Sequence, residues 1–248
     1  MPAFWYILLF SILGSVGAIG IAALFLFLPE ARRERLTTWL ISYAAGTLIG
    51  VTLLELLPTA LERADATVVF GITAFGIVLF FALEKFVLWH HCHDNECQQH
   101  QAQGPVILIG DAMHNIIDGV VIAAAFLASI PIGISTAFAV ILHEIFQEVG
   151  DLAILVASGY SRRRAIMFNI ASGLTAVLAA VIAYFALERV AGALPYVLAL
   201  SSAGFLYIAL ADLAPLQHRR AGPRAAAFQV LLQLAGVGTV LAFELFLE

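Results

Sequence analysis

Apolar residues along this chain gather into eight long blocks, near residues 4–28, 36–60, 67–90, 105–127, 132–157, 164–187, 194–216 and 225–247. Each is close to the ~20 residues that a helix needs to cross about 30 Å of hydrocarbon. The connections between them are short and carry turn chemistry: Pro29 with charges behind it, Pro105 after a polar run, then Pro131, Pro195 and Pro223. A soluble all-helical protein would show a narrower apolar stripe with polar faces between. The pattern therefore predicts an all-α membrane protein with eight transmembrane helices in a single domain over residues 1–248. The first block has no basic residue ahead of it, so it is expected to be a retained span rather than a signal peptide.

Composition sharpens this picture. Of the 248 residues, 62% are hydrophobic and only 12% charged, too few charges to cover a soluble surface of this size. No basic patch suits nucleic acid, and none is expected as a partner. Cys92 and Cys97 share one short loop, which does not make a disulfide framework. Charge also orients the spans. With both termini outside, the cytoplasmic side receives Arg32, Arg33, Arg35, Lys85, Arg162, Arg163, Arg164, Arg219, Arg220 and Arg224. The outer side receives only Arg63 and Arg189, so the basic residues divide ten to two. This asymmetry needs an even number of spans.

Within the spans lie Glu55, Asp111, Asp118, Glu144, Glu148, Asp151 and Asp212, with no Lys or Arg near them in sequence. A bare carboxylate at membrane depth costs roughly 2.5–3.5 kcal/mol even on lenient insertion scales. Protonation, hydrogen bonds, water or a bound cation must compensate. Spacing favours the cation. In block four, Asp111, His114, Asn115 and Asp118 stand at i, i+3, i+4 and i+7, on one helix face. In block five, His143, Glu144, Gln147, Glu148 and Asp151 form i, i+4 pairs within less than half the circumference. Two neighbouring helices thus each present imidazole, carboxylate and amide. That donor set suits Zn²⁺, Fe²⁺, Mn²⁺ or Co²⁺, and no cysteine lies at that depth to build a Cu⁺ site.

The two stripes resemble the ZIP family of metal transporters, nearest its LIV-1-type branch. That branch carries His-Asn-x-x-Asp-Gly in span four and His-Glu-x-Pro-x-Glu-x-Gly-Asp in span five. This chain reads His114-Asn115-Ile116-Ile117-Asp118-Gly119 and His143-Glu144-Ile145-Phe146-Gln147-Glu148-Val149-Gly150-Asp151. The flanks agree: Ala45-Gly46-Thr47 through Glu55-Leu56-Leu57-Pro58, Leu83-Glu84-Lys85, and Leu206-Tyr207 through Asp212-Leu213-Ala214-Pro215. Phe146 departs from the family proline, which moves or weakens the usual kink. Gln147 stands where the family often has His or Glu.

The resemblance implies a bundle with spans four and five at its centre and two adjacent metal positions. The first draws on His114, Asp118, His143 and Gln147; the second on Asn115 and Glu144, with Gln147 as a bridge. Glu148 and Glu55 are further candidates. It implies a transporter of divalent metal ions, zinc first, with iron, manganese, cobalt or cadmium as alternatives. Import through the plasma (inner) membrane is the direction implied. The partners expected are the lipid bilayer and the metal, with a homodimer open, and no organic cofactor is expected. The His-rich stretch at residues 90–104 is placed in the cytoplasm by the charge asymmetry, where it either catches or senses metal or is a solvated loop that binds metal only incidentally. Glycines between Gly14 and Gly20 and at Gly236 and Gly238 predict close helix packing.

Two rivals are weaker. An intramembrane metal-dependent hydrolase is suggested by His143-Glu144, but a zinc protease motif would place a second His where Gln147 stands. A proton-driven carrier of organic anions would retain an intramembrane Arg or Lys.

Overall fold

The helices begin and end where local chemistry dictates. Ser129 accepts from the Ile132 N–H at 3.2 Å and Ser161 from the Arg164 N–H at 3.4 Å, each capping a helix start. Asp65 Oδ1 accepts from the N–H groups of Thr67 and Val68 at 2.9 and 3.3 Å. Gly159, at φ +93°, takes the left-handed conformation that L side chains resist. It lets Tyr160 donate to Leu155 O at 3.1 Å and Gly159 itself to Val156 O at 3.1 Å, closing the preceding helix.

The computed structural model describes residues 2–25, 27–91, 103–218 and 222–247. Among the described residues the chain forms eight long helices: α1 (Pro2–Phe25), α2 (30–61), α3 (Ala66–His91), α4 (Gln103–Ala128), α5 (Ile130–Ala157), α6 (Arg162–Arg189), α7 (194–218) and α8 (Pro223–Leu247). No strand occurs among the described residues. Seven of the helices are long and apolar enough to cross a membrane, and α5 is the one outside that set. Of the His-rich stretch at 90–104, residues 92–102 lie outside the described residues.

Three helices contain one wide π turn: Leu13–Gly17 in α1, Thr52–Leu56 in α2 and Ile208–Leu213 in α7. Two have a covalent cause. Pro58 and Pro215 have no N–H to give to Leu54 and Ala211, four residues back, so the ladder widens just ahead of each proline. Glu55 and Asp212 sit inside these turns, each three residues before its proline. α5, with Phe146 in place of a proline, runs unbroken.

α5 packs against α1, α2, α4, α6 and α8, and α4 against α1, α5, α6 and α7. Neighbours on most sides allow this pair to carry polar residues without presenting them to hydrocarbon. Glycines set the closest approaches. A Cβ on Gly119 would stand 2.1 Å from Ala176 O, so α4 and α6 touch backbone to backbone. Between α2 and α8, a Cβ on Gly46 would meet Gln233 O at 2.1 Å, and one on Gly236 would meet Tyr43 O at 2.4 Å. Gly236 thus matches its expectation. Gly14 and Gly17 see ordinary contact distances, and a Cβ on Gly20 or Gly238 would meet open space.

Candidate metal centre

α4 and α5 are antiparallel and joined by the single residue Ser129. So short a link holds the two polar stripes face to face. Side chains on α4 at three- and four-residue spacing, and those on α5 at the same spacing, meet across this interface.

At the centre, His114, Asp118, His143 and Glu144 each bring one ligand-type atom within 4.8 Å of all the others. His143 Nε2 lies 3.0 Å from Asp118 Oδ2, 3.2 Å from His114 Nε2 and 3.6 Å from Glu144 Oε1. His114 Nε2 lies 3.4 Å from Glu144 Oε1 and 3.7 Å from Asp118 Oδ2. Asp118, His143 and Glu144 are each 1% exposed. The second nitrogen of His143, Nδ1, lies 3.2 Å from Ala139 O. A carbonyl can only accept, so Nδ1 carries the proton and Nε2 turns a lone pair into the cluster. None of the four carboxylate oxygens of Asp118 and Glu144 accepts a hydrogen bond of acceptable distance and angle. The cluster is therefore a convergence of lone pairs, a geometry that only a proton or a cation relieves.

One turn along both helices, away from Ser129, lies a second group. Asp111, Glu144 and Glu148 bring one carboxylate oxygen each within 4.8 Å of one another. Asn115 donates to Asp111 Oδ1 at 2.9 Å and also to Asp111 O at 3.1 Å. Gln147 donates to the same Oδ1 at 3.2 Å. Glu148 Oε2 accepts from Asn169 of α6 at 2.5 Å. Among the described residues, no Lys or Arg forms an ion pair with Asp111, Asp118, Glu144 or Glu148.

The structure thus gathers His114, Asp118, His143 and Glu144 at one point. Asn115 and Gln147 direct their amide N–H groups to Asp111, and Glu148 joins Asp111 and Glu144. Asp151, a turn beyond Glu148, is half-buried. Glu55 lies apart, in a cavity of about 250 Å³ with Glu62, Arg63, Ser129 and Glu244 at the end of the bundle where α4 meets α5. Arg63 donates to Ala128 O at 3.3 Å there. Asp212 is exposed on α7, and one turn before it Tyr207 donates to Glu84 of α3.

Two contributors were not singled out from the sequence. Asn169 is fully buried on α6 and anchors Glu148. Phe205 of α7 lies against His143, ring centres 6.1 Å apart. The signal for Asn169 was a single amide inside an otherwise apolar span. Nothing in the sequence pattern separates Phe205 from the other core aromatics.

The chain is similar to known proteins along most of its length. The family profile described as "ZIP Zinc transporter" matches residues 88–244. "Zinc transporter ZIP13" of Pongo abelii is 33% identical over 264 residues, covering 96% of this chain and 79% of that protein. "Zinc transporter ZIP13" of Danio rerio is 35% identical, covering 56% of this chain and 41% of that protein. "Zinc transporter YKE4" of Saccharomyces cerevisiae is 30% identical, covering 77% of this chain and 65% of that protein.

Proposed function

Since this chain belongs to the ZIP family, a family of membrane transporters and not of enzymes, we propose that it carries divalent metal ions across a membrane through the His114, Asp118, His143 and Glu144 cluster. The observation that carries the reading is the convergence of two imidazoles and two buried carboxylates with no basic partner. Two carboxylates balance the charge of one divalent ion, so the loaded site is neutral in apolar surroundings. The imidazoles add the nitrogen donors that zinc prefers over magnesium or calcium. Zinc is accordingly the first cargo, as the relatives' names also suggest. Iron, manganese, cobalt and cadmium fit the same donors.

The reading includes eight spans, with α5 crossing inside a jacket of its neighbours. Both termini lie outside and the 90–104 stretch lies in the cytoplasm, following the division of Lys and Arg. The cavity holding Glu55, Glu62 and Glu244 then opens outward. Its carboxylates attract the ion and begin to replace its water. The ion passes to the central cluster and leaves on the cytoplasmic side when the helices expose it there. Asn115 and Gln147 take part through Asp111, which both hold. The membrane we infer is the plasma (inner) membrane, and a homodimer is open.

Proteoliposomes containing the purified protein should take up radioactive zinc in a saturable manner. Unlabelled iron, manganese, cobalt and cadmium should compete to differing degrees. Uptake no greater than in protein-free vesicles, for every metal, would overturn the reading.

A further inference from the structure

We propose that the corner where α1 ends and α6 begins binds an anionic phospholipid, its phosphate held by arginines of α6 and α2 and its acyl chains by apolar residues one turn deeper. The corner lies at the opposite end of α5 from Ser129 and uses no residue of the central cluster.

Packing brings the pieces together. Ala22 and Phe25 near the end of α1, Leu155 near the end of α5 and Ala165 in the first turn of α6 belong to one small apolar core. That core holds the end of α1 beside the start of α6. Just past α1, the Phe27 ring carries the Arg162 guanidinium over it, 6.0 Å from its centre. Arg163 and Arg164 follow on α6, both exposed. Phe27 leads through Pro29 into the first turn of α2, where Arg32 is exposed and Arg33 half-buried. Among the described residues, none of these five arginines forms an ion pair with a carboxylate. Like charges grouped in this way repel, and an anion among them removes the repulsion. A bias of Lys and Arg to one membrane side explains their sign, but not their grouping about an exposed ring.

Depth and surroundings define the ligand class. The apolar stretches of α1 and α6 stop at Phe25 and Arg162, so the arginines stand where hydrocarbon gives way to headgroups. Met167 and Phe168 lie one turn deeper on α6 than Arg163 and Arg164, on the same face, and are 58% and 40% exposed. Leu24 and Phe27 on the α1 side are 66% and 74% exposed. A guanidinium fork matches two oxygens of a phosphodiester. Arginines above exposed apolar side chains therefore fit a molecule with an anionic head and hydrocarbon tails. A zwitterionic lipid brings its own cation into the same positive field and is disfavoured.

The test is lipid retention by the full-length protein in detergent. Native mass spectrometry follows phosphatidylglycerol and phosphatidylcholine of the same acyl chains, added in equal amounts. Wild type should retain phosphatidylglycerol in preference by at least about tenfold, as several arginines at a headgroup predict. Arg163→Gln with Arg164→Gln, and separately Arg32→Gln with Arg33→Gln, should each reduce that preference several-fold. Arg189→Gln, at the other end of α6, removes a positive charge and should leave it unchanged. A monodisperse gel-filtration peak checks the fold of each variant, and where one double variant fails to fold the other decides. Phosphatidylglycerol should also raise the melting temperature, whereas soluble glycerol phosphate should not. Equal retention of the two lipids by wild type, an unchanged preference in the folded double variants, or the same loss in Arg189→Gln would overturn the site. Equal stabilisation by glycerol phosphate would overturn the lipid in favour of a free anion. The transport reading stands or falls separately.

Discussion

Gln147 donates its side-chain amide to Asp111 Oδ1 at 3.2 Å, across the interface of α4 and α5. The residue that the motif places beside the ion thus holds a carboxylate of the neighbouring helix. Asn115 holds the same oxygen from Asp111's own helix. Asp111, which stands a full turn ahead of His114, is the hub on which both amides converge.

Removing that tie should loosen Asp111 without deleting a ligand of the central cluster. Gln147→Ala should raise the half-saturation concentration for zinc uptake roughly 3–10-fold, corresponding to one hydrogen bond of about 1 kcal/mol. Gln147→His supplies an imidazole next to Glu144 and should shift preference towards zinc over manganese. Competition assays in proteoliposomes measure both. Unchanged affinity and ranking in both variants would show that Gln147 has no part in ion handling.

Uptake should fall as external pH drops from neutral to about 5. Ligation requires a free lone pair on the nitrogen of His114 and of His143 that faces the cluster, and metal binding there displaces any proton on it. Protons compete with the ion for those lone pairs, so binding weakens as acid is added. Initial rates at fixed free zinc measure this. A rise in rate on acidification would mean that protons drive the transport rather than compete with the ion.

The cavity holding Glu55 should govern capture rather than turnover. Glu55→Gln combined with Glu244→Gln removes two of the three carboxylates lining it. The half-saturation concentration should rise several-fold, because the cavity loses negative charge that draws the ion in. The maximal rate should stay within about twofold, because these carboxylates act on entry of the ion and lie apart from the central cluster. A collapse of the maximal rate would instead place Glu55 at a step of the transport cycle.

Gly119→Ala should lower thermal stability in detergent. The added Cβ would lie 2.1 Å from Ala176 O, a backbone atom that cannot swing aside. Overpacking of this kind costs roughly 1–3 kcal/mol. Gly110→Ala on the same helix meets nothing within 4 Å and serves as the control. Equal melting temperatures for the two variants would mean that α4 and α6 separate at little cost.

Much of this was readable from the sequence because it depends on period and length. The eight apolar blocks match the eight helices to within a few residues, except that α2 begins at Glu30, directly after Pro29. Spacing alone placed His114, Asp118, His143 and Glu144 on facing stripes. Spacing does not fix rotamers or partners, so the tie of Asn115 and Gln147 to Asp111 was not legible. Asn169 belongs to α6, and no periodicity within α5 says which neighbouring helix will meet Glu148. The wide turns were latent in Pro58 and Pro215, but proline shows where a ladder is interrupted, not how the helix absorbs the break.

The most direct test of the central claim is zinc uptake by Asp118→Asn and His143→Ala in proteoliposomes of matched protein content. Asp118→Asn keeps shape and removes charge, and His143→Ala removes the nitrogen that faces Asp118 at 3.0 Å. The central cluster predicts loss of saturable uptake in each, by at least about 100-fold, since removing a ligand should cost no less than the roughly 10–100-fold typical of losing a group that orients one. Both proteins should remain folded and membrane-inserted. Uptake with wild-type kinetics in both variants would contradict the assignment of the cluster as the path of the ion.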